Sequence, residues 1–306
     1  MSESTRAVVR RVRGELDLVL RTAERDDAQH RALREALDAV PTKRRGRAWR
    51  ETRVLIELAF RKRPGWTLKK LQRMRERRGD QFDRFWEECR QALAPYTLGP
   101  HGYKLALGSY DESVVWREVS AVMAAMRDLG YATFVNSGTL LGIVREGTLI
   151  GDDDDVDLAV LLGSSSVRDV AEEWTALRVR LGEVGLVRQG FNIFGKNHCK
   201  VAVHGGVNVD LFPAWISDDR VFVWPHTYGE LPASALLPLE QVEVADFSVA
   251  VPHDPEPMLE INYGPGWRTP DPTFRFDWAS AKARFSELMT FLESPDASHG
   301  TEENEE

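Results

Sequence analysis

Apolar positions over the first ninety-odd residues recur at the spacing of a helix face. Val8, Val9, Val12, Leu16 and Val19 predict one helix, and Asp27 to Val40 predicts a second, stopped by Pro41. A third runs from Arg47 to Arg61, with Val54, Leu55, Ile56, Leu58, Ala59 and Phe60 giving it a thick apolar face. Pro64-Gly65 is read as its stop, and Trp66 to Arg78 as a fourth helix. Asp80 to Leu93, carrying Phe82, Phe85 and Trp86, makes a fifth. The stretch Lys43-Arg44-Arg45-Gly46-Arg47 reads as a charged linker.

From about residue 101 the pattern changes to mixed α and β. Glu112 to Leu129 reads as a helix, burying Val114, Val115, Val119, Val122, Met123 and Met126. Tyr131 to Val135 reads as a short strand leading to a turn at Gly138, with a helix from Thr139 to Val144. Asp155 to Leu162 is a strand, and Ser166 to Leu181 a helix capped by Ser165 or Ser166. Strands are expected near Leu186–Arg188, Lys200–Val203, Val207–Phe212, Val221–Trp224 and within Val242–Val251, then a helix from Pro255 to Tyr263. The fold class is therefore α/β (α+β): a mixed β-sheet flanked by helices and preceded by a helical region. The expected division is 1–100 for that basic helical region, 101–293 for the mixed domain, and 294–306 for a disordered acidic tail.

Composition changes this picture little. The 306 residues are 42% hydrophobic and 29% charged, ordinary for a globular protein. No apolar run reaches membrane-span length, and the start lacks the apolar stretch of a signal peptide, so the cytoplasm is the expected compartment. Cys89 and Cys199 lack metal-site spacing, which argues against a zinc or disulfide scaffold. Charge is more telling. Residues 1–80 hold 23 Lys and Arg against 12 Asp and Glu, net +11, while the remainder is net −19. Such asymmetry suggests two functional halves. The basic helices offer a face to an anionic membrane surface or a protein partner, or simply a solvated face. Without aromatic interleaving or a nucleic-acid motif, no nucleic acid is expected.

The chemistry concentrates in Gly151-Asp152-Asp153-Asp154-Asp155-Val156-Asp157-Leu158. An acidic run is ordinarily a solvated loop. This one opens an apolar strand, and on a strand alternate side chains point the same way, so Asp155 and Asp157 share a face. Two carboxylates so placed suit Mg²⁺, or Mn²⁺ in its place, which take oxygen ligands. Asp-x-Asp-x-Asp here lacks the Gly and Glu of a calcium loop. A further acid, Asp210, stands in the strand-like Val207-Asn208-Val209-Asp210-Leu211-Phe212, where it needs a partner to be buried.

These elements resemble the nucleotidyltransferase superfamily, and within it the LicD family, which includes the fukutin-type enzymes. The resemblance is carried by Asn136-Ser137-Gly138-Thr139-Leu140-Leu141-Gly142-Ile143-Val144-Arg145-Glu146-Gly147, by Asp153-Asp154-Asp155-Val156-Asp157, and by Val209-Asp210-Leu211-Phe212-Pro213. Asn262-Tyr263-Gly264-Pro265-Gly266-Trp267-Arg268-Thr269-Pro270 is similar to the family's C-terminal Tyr-Gly-x-x-Trp-x-x-Pro segment. The likeness covers about residues 115–275.

The resemblance implies a nucleotidyltransferase-like catalytic domain that moves a phospho-substituent, phosphocholine or an alditol phosphate, from a CDP-activated donor. The acceptor is a hydroxyl on a glycan or cell-surface polymer. It implies Asp155 and Asp157 as Mg²⁺ ligands, and Asp210 as either a third ligand or the base taking the acceptor's proton. Gly138 and Thr139 would present backbone N–H groups to donor phosphates. Arg145 is a phosphate contact or an exposed helix-end residue; Lys200 balances the acids, binds phosphate, or is an edge lysine. Trp267, Tyr263, Trp215 and Phe212 are candidates to stack a base or line the acceptor groove, with packing as the alternative for each. Such an enzyme would work on the cytoplasmic side, peripheral at the inner face of the membrane. Two other functions compete: a nucleotidyltransferase moving a nucleoside monophosphate from a triphosphate to a small molecule or protein, and an inactive scaffold binding a partner through its basic helices.

Overall fold

The computed structural model describes residues 4–22, 25–99, 101–186, 197–202, 206–271, 274 and 276–293. The expected strand over 187–188 and the tail from 294 lie outside them, and Leu186 is not in a strand. The chain forms two compact units, Met1–Ser109 and Tyr110–Glu306.

In the first unit, α1 (Thr5–Leu20) starts where the Ser4 hydroxyl accepts the Ala7 N–H, and α2 (Asp27–Asp38) starts at a capping box between Asp26 and Gln29. Next come α3 (Arg47–Ala59), α4 (Pro64–Arg78) and α5 (Asp83–Leu93). Val8, Val12, Leu16, Leu37, Val54, Ile56 and Phe82 share one apolar cluster. α3 is buried on every side from Glu51 to Ala59, because it is the centre of the bundle.

One reading needs correction here. Pro64-Gly65 opens α4 rather than closing α3: proline's missing N–H costs nothing at the first helical position, and its fixed φ suits a helix. The charged linker is held in place by Arg45, which donates to the carbonyls of Val40 and Asp38 and lies 4.4 Å from the Trp49 ring. The unit also contains an antiparallel hairpin, β1 (Tyr96–Gly99) and β2 (Gly102–Leu105), too short for its periodicity to show in the sequence.

The second unit is mixed α/β, and the fold class is as expected. α6 (Glu112–Asp128), β3 (Ala132–Val135), α7 (Ser137–Glu146), β4 (Asp155–Leu161), α8 (Val167–Glu183) and β5 (Cys199–Ala202) lead to the ten-residue β6 (Asn208–Ser217). β7 (Arg220–Val223), β8 (Thr227–Pro232) and α9 (Ala233–Leu236) follow, then β9 (Glu240–Val244), β10 (Phe247–Val251), α10 (Pro255–Tyr263), α11 (Trp278–Arg284) and α12 (Ser286–Glu293).

The main sheet has the order β3-β4-β6-β7-β8, with β5 also paired to β6. β3 is antiparallel to β4, and β4 is parallel to β6. β6 is long enough to pair with β5 along Asn208–Leu211 and with β7 along Ala214–Ser217. Asp218 and Asp219 both adopt positive φ in the two-residue β6–β7 turn, as do Ala245 and Asp246 between β9 and β10, the backbone that suits a twisted hairpin. β4 lies between β3 and β6, so Val156, Leu158, Ala159 and Val160 are fully buried. The strand that begins at Asp155 is thus held on both edges.

Candidate active site

Three strands bring three charged side chains into one line. In the parallel pairing of β4 with β6, Asp157 stands opposite Asp210, and in the antiparallel pairing of β5 with β6, Lys200 stands opposite Asp210 from the other side. The Lys200 ammonium donates to both carboxylate oxygens of Asp210, at 2.9 and 2.7 Å. Lys200 therefore balances an acid, and Asp210, 5% exposed, has the partner its burial requires.

Asp157 is gripped by the first turn of α7. Its N–H donates to the Thr139 hydroxyl at 2.8 Å, its carbonyl accepts the Asn136 N–H at 3.0 Å, and its carboxylate accepts the Gly138 N–H at 3.2 Å. The helix begins at Ser137, so Gly138 and Thr139 sit inside it and not in a preceding turn. The left-handed backbone falls on Ser137, φ 47°, rather than on Gly138. What Gly138 supplies is room: a Cβ there would lie 2.5 Å from an Asp153 carboxylate oxygen. A non-glycine residue held at positive φ marks a strained turn, and strain of this kind clusters at functional sites.

The acids themselves are close. Asp153, Asp154 and Asp155 can each offer an oxygen, all within 4.8 Å of one another, the group of three among the described residues with metal-ligand spacing. Burial lifts the Asp155 carboxyl to about 7, helped by the carboxylates of Asp153, Asp210 and Asp154 and opposed by Lys200. Asp157 is pushed well above the usual range, first by burial and then by Asp155, Asp153 and Asp210, with the Gly138 N–H acting against them. Like-charged oxygens gathered in a low dielectric disfavour their own ionisation. A divalent cation reverses that penalty, and an all-carboxylate donor set fits Mg²⁺ or Mn²⁺.

The surroundings divide into supports and bystanders. Arg145 donates to Glu146 and, at 3.4 Å, to the Trp267 carbonyl, which ties α7 to the segment after α10. The Trp267 ring is 5% exposed and lies 4.3 Å from the Arg268 guanidinium. Trp215 and Phe212 are also buried, so none of these three rings presents a free face. Tyr263 lies near the acids: burial raises its hydroxyl, and Asp157 and Asp153 raise it further. Asn136 and Ser137 carry no sequence signal for a role in the site, yet the Asn136 amide and Ser137 hydroxyl are buried without a partner among the described residues. Asn136 is the N-cap of α7, a position that asparagine favours, but its side chain makes no capping bond. The Asp153 carboxylate stands against Gly138 inside the cluster.

Against known protein families, residues 130–254 match the model described as LicD/FKTN/FKRP, nucleotidyltransferase domain. This chain carries a LicD-family domain. The match includes every strand that bears an acid of the cluster, together with Lys200 and all of α7, and it ends before the Tyr263–Pro270 segment. No curated protein matches the chain. Membership in the LicD family gives the domain a transferase character of phosphotransferase type. No helix among the described residues is long and apolar enough to cross a membrane.

Proposed function

We propose that the LicD domain moves a phospho-substituent, phosphocholine or an alditol phosphate, from a CDP-activated donor to a hydroxyl of a glycan or cell-surface polymer. The observation that carries this reading is the convergence of Asp153, Asp154, Asp155, Asp157 and Asp210 at the N-terminal end of α7. Phosphoryl transfer asks for positioning and charge matching more than for covalent chemistry. Asp155 and Asp157, with Asp153 or Asp210 beside them, would hold Mg²⁺, which supplies positive charge to the phosphate oxygens during transfer. Lys200 favours Asp210 as a ligand over Asp210 as a base, because its ammonium already donates to both carboxylate oxygens, which leaves neither aimed freely at an acceptor hydroxyl. A loose transition state in any case demands little of a base.

In this reading the bond from phosphorus to the CMP oxygen breaks as the bond to the acceptor oxygen forms, CMP leaves, and the acceptor's hydroxyl proton passes to solvent. The first turn of α7 orients Asp157 through three hydrogen bonds, and the helix N-terminus adds a favourable field for an anionic donor. The site would face the cytoplasm, with the basic first unit available to an anionic surface or partner.

A donor screen tests the proposal. The protein is incubated with Mg²⁺ and CDP-choline, CDP-ribitol, CTP or ATP. Release of CMP from a CDP-linked donor supports phosphotransfer. Pyrophosphate release from a triphosphate, with no CMP from either CDP-linked donor, replaces it with nucleotidyl transfer, the activity that the matched model's description names.

A further inference from the structure

Between α10, α11 and the start of β8 lies a cavity of about 260 Å³, lined among others by Pro225, His226, Asn262, Phe274, Phe276 and Ala281. We propose that it receives the base of the nucleotide-linked donor: an uncharged, planar heterocycle with hydrogen-bonding groups at its edge. This assignment rests on the phosphotransfer reading above and adds to it the subsite that selects the nucleotide.

Four observations carry it. The first is size: the cavity lies just under the roughly 300–1,000 Å³ of sites for drug-sized ligands, so it suits one ring system rather than a length of glycan. The second is its walls. The Phe276 ring meets His226 edge-on at 4.3 Å, and Phe274, 44% exposed, presents a ring at the rim. Aromatic faces take a base by stacking, whatever its identity.

The third is charge. The ionic groups at the cavity are already engaged: Arg284 pairs with Glu230, and Asp277 accepts the N–H groups of Ala279 and Ser280 and the Ser280 hydroxyl. What is left over is neutral. The Thr227 hydroxyl donates to the Asn262 side-chain Oδ1 at 3.2 Å, leaving the Asn262 amide nitrogen buried without a partner among the described residues, and His226 Nδ1 is in the same condition. Two unpartnered nitrogens at one wall are costly unless a ligand or water completes them.

The fourth is place. Asn262 on the wall is followed at once by Tyr263, which lies within the field of Asp157 and Asp153. The Tyr263 ring is also 5.0 Å from Phe274 and 6.0 Å from His226. Tyr263 thus touches the aromatic wall of the cavity and feels the carboxylates as well, which makes the two sites neighbours, as they must be if base and phosphates belong to one ligand. The aromatic residues singled out in the sequence for this task, Trp267, Trp215 and Phe212, have their rings covered.

Uncharged nucleosides isolate the cavity from the acidic cluster, since they carry no phosphate. Binding of cytidine, uridine and adenosine is measured by calorimetry or ligand-observed NMR on the full chain. The wild type and Asp157→Asn should bind at least one of them alike. Phe274→Ala, at the exposed rim, should weaken that binding about tenfold through lost stacking. Ala281→Phe, which fills the cavity, should abolish it; Phe274→Ala keeps the test intact should the larger side chain disturb folding. Absence of saturable nucleoside binding overturns the proposal, as does binding indifferent to both cavity variants. Nucleoside binding lost in these variants without CMP release from any CDP-linked donor keeps the cavity and sinks phosphotransfer. CMP release with an unchanged KM in both variants does the reverse.

Discussion

Asp157 and Asp210 occupy the same register position on neighbouring parallel strands, but the two carboxylates are held differently. Asp210 has an ammonium on both oxygens, whereas Asp157 receives the backbone N–H of Gly138. Neighbouring strands are about 4.8 Å apart, so the charge on Asp210 adds directly to the penalty on ionised Asp157. A residue pair that costs the fold in this way points to a charge brought from outside.

Asp157→Asn should therefore separate activity from stability. The amide keeps an oxygen for the Gly138 N–H and removes one of the crowded charges, so thermal unfolding in the absence of metal should shift upward. Donor turnover should fall by about a hundredfold or more, the scale seen when a group that stabilises transition-state charge is lost. Near-normal CMP release in this variant removes Asp157 from the site.

Gly138→Ala tests the close approach. Its Cβ would sit 2.5 Å from Asp153, so the carboxylate must move out of the cluster. The expected outcome is a stability loss of roughly 1–3 kcal/mol or less, as for other overpacked sites, with a larger loss of Mg²⁺ affinity. Unchanged Mg²⁺ binding, read by calorimetry, would show that Asp153 does not belong to the cation site.

Much of this centre was legible in the sequence because strand periodicity is local: alternation alone put Asp155 and Asp157 on one face, and an isolated acid in apolar company flagged Asp210. The pairing of Lys200 with Asp210 was not, since it depends on the register of β5 against β6, which no periodicity encodes. Gly138 was recognised as special, but whether for φ or for space depended on where Asp153 points. Pro64 was misplaced because a proline between two apolar runs reads equally as a stop and as a first helical residue. The strand β8 and the last two helices, α11 and α12, went unassigned, their short periodic runs being interrupted by turns and prolines. Trp267 shows the limit from the other side: a motif-like tryptophan turned out to be a covered ring.

Thr139→Val should expose what the hydroxyl does. Valine has nearly the same shape but cannot accept the Asp157 N–H, leaving that donor buried and unmet. A cost of about 1–3 kcal/mol is expected from chemical denaturation. Thr139→Ser should recover most of it, and an equal loss in both variants would point to the methyl group instead.

In the first unit, Glu57 is fully buried and bound by Arg53 at 3.0 Å, His30 at 3.2 Å and Arg34 at 3.3 Å. Burial holds the Arg53 guanidinium below its ordinary value, with Arg34 adding to the effect, so the network is already strained on the cationic side. Glu57→Leu removes the buried carboxylate from Arg53 and Arg34 and leaves them Asp38 alone, and should cost about 3–5 kcal/mol, far more than a surface pair. A loss below about 1 kcal/mol would show the network to be energetically idle.

The acidic cluster should also give the protein an inverted response to pH. Asp155 titrates at about 7 when folded and at its ordinary 3.8 when unfolded, so between those values the folded state keeps a proton the unfolded state has released. By linkage, its contribution is fully present below 3.8, is lost as pH rises toward 7, and is level above that. The quantity to measure is the metal-free stability of Asp155→Asn relative to wild type. It should grow over that window by an amount on the order of a few kcal/mol and then stay constant. Mg²⁺ binds the ionised cluster, so its stabilisation of the wild type should be larger at pH 8 than at pH 5 and much reduced in Asp155→Asn. A stability difference that is flat across the window, or Mg²⁺ stabilisation that is equal at both pH values, would mean that the carboxylates do not crowd one another and that no cation gathers them.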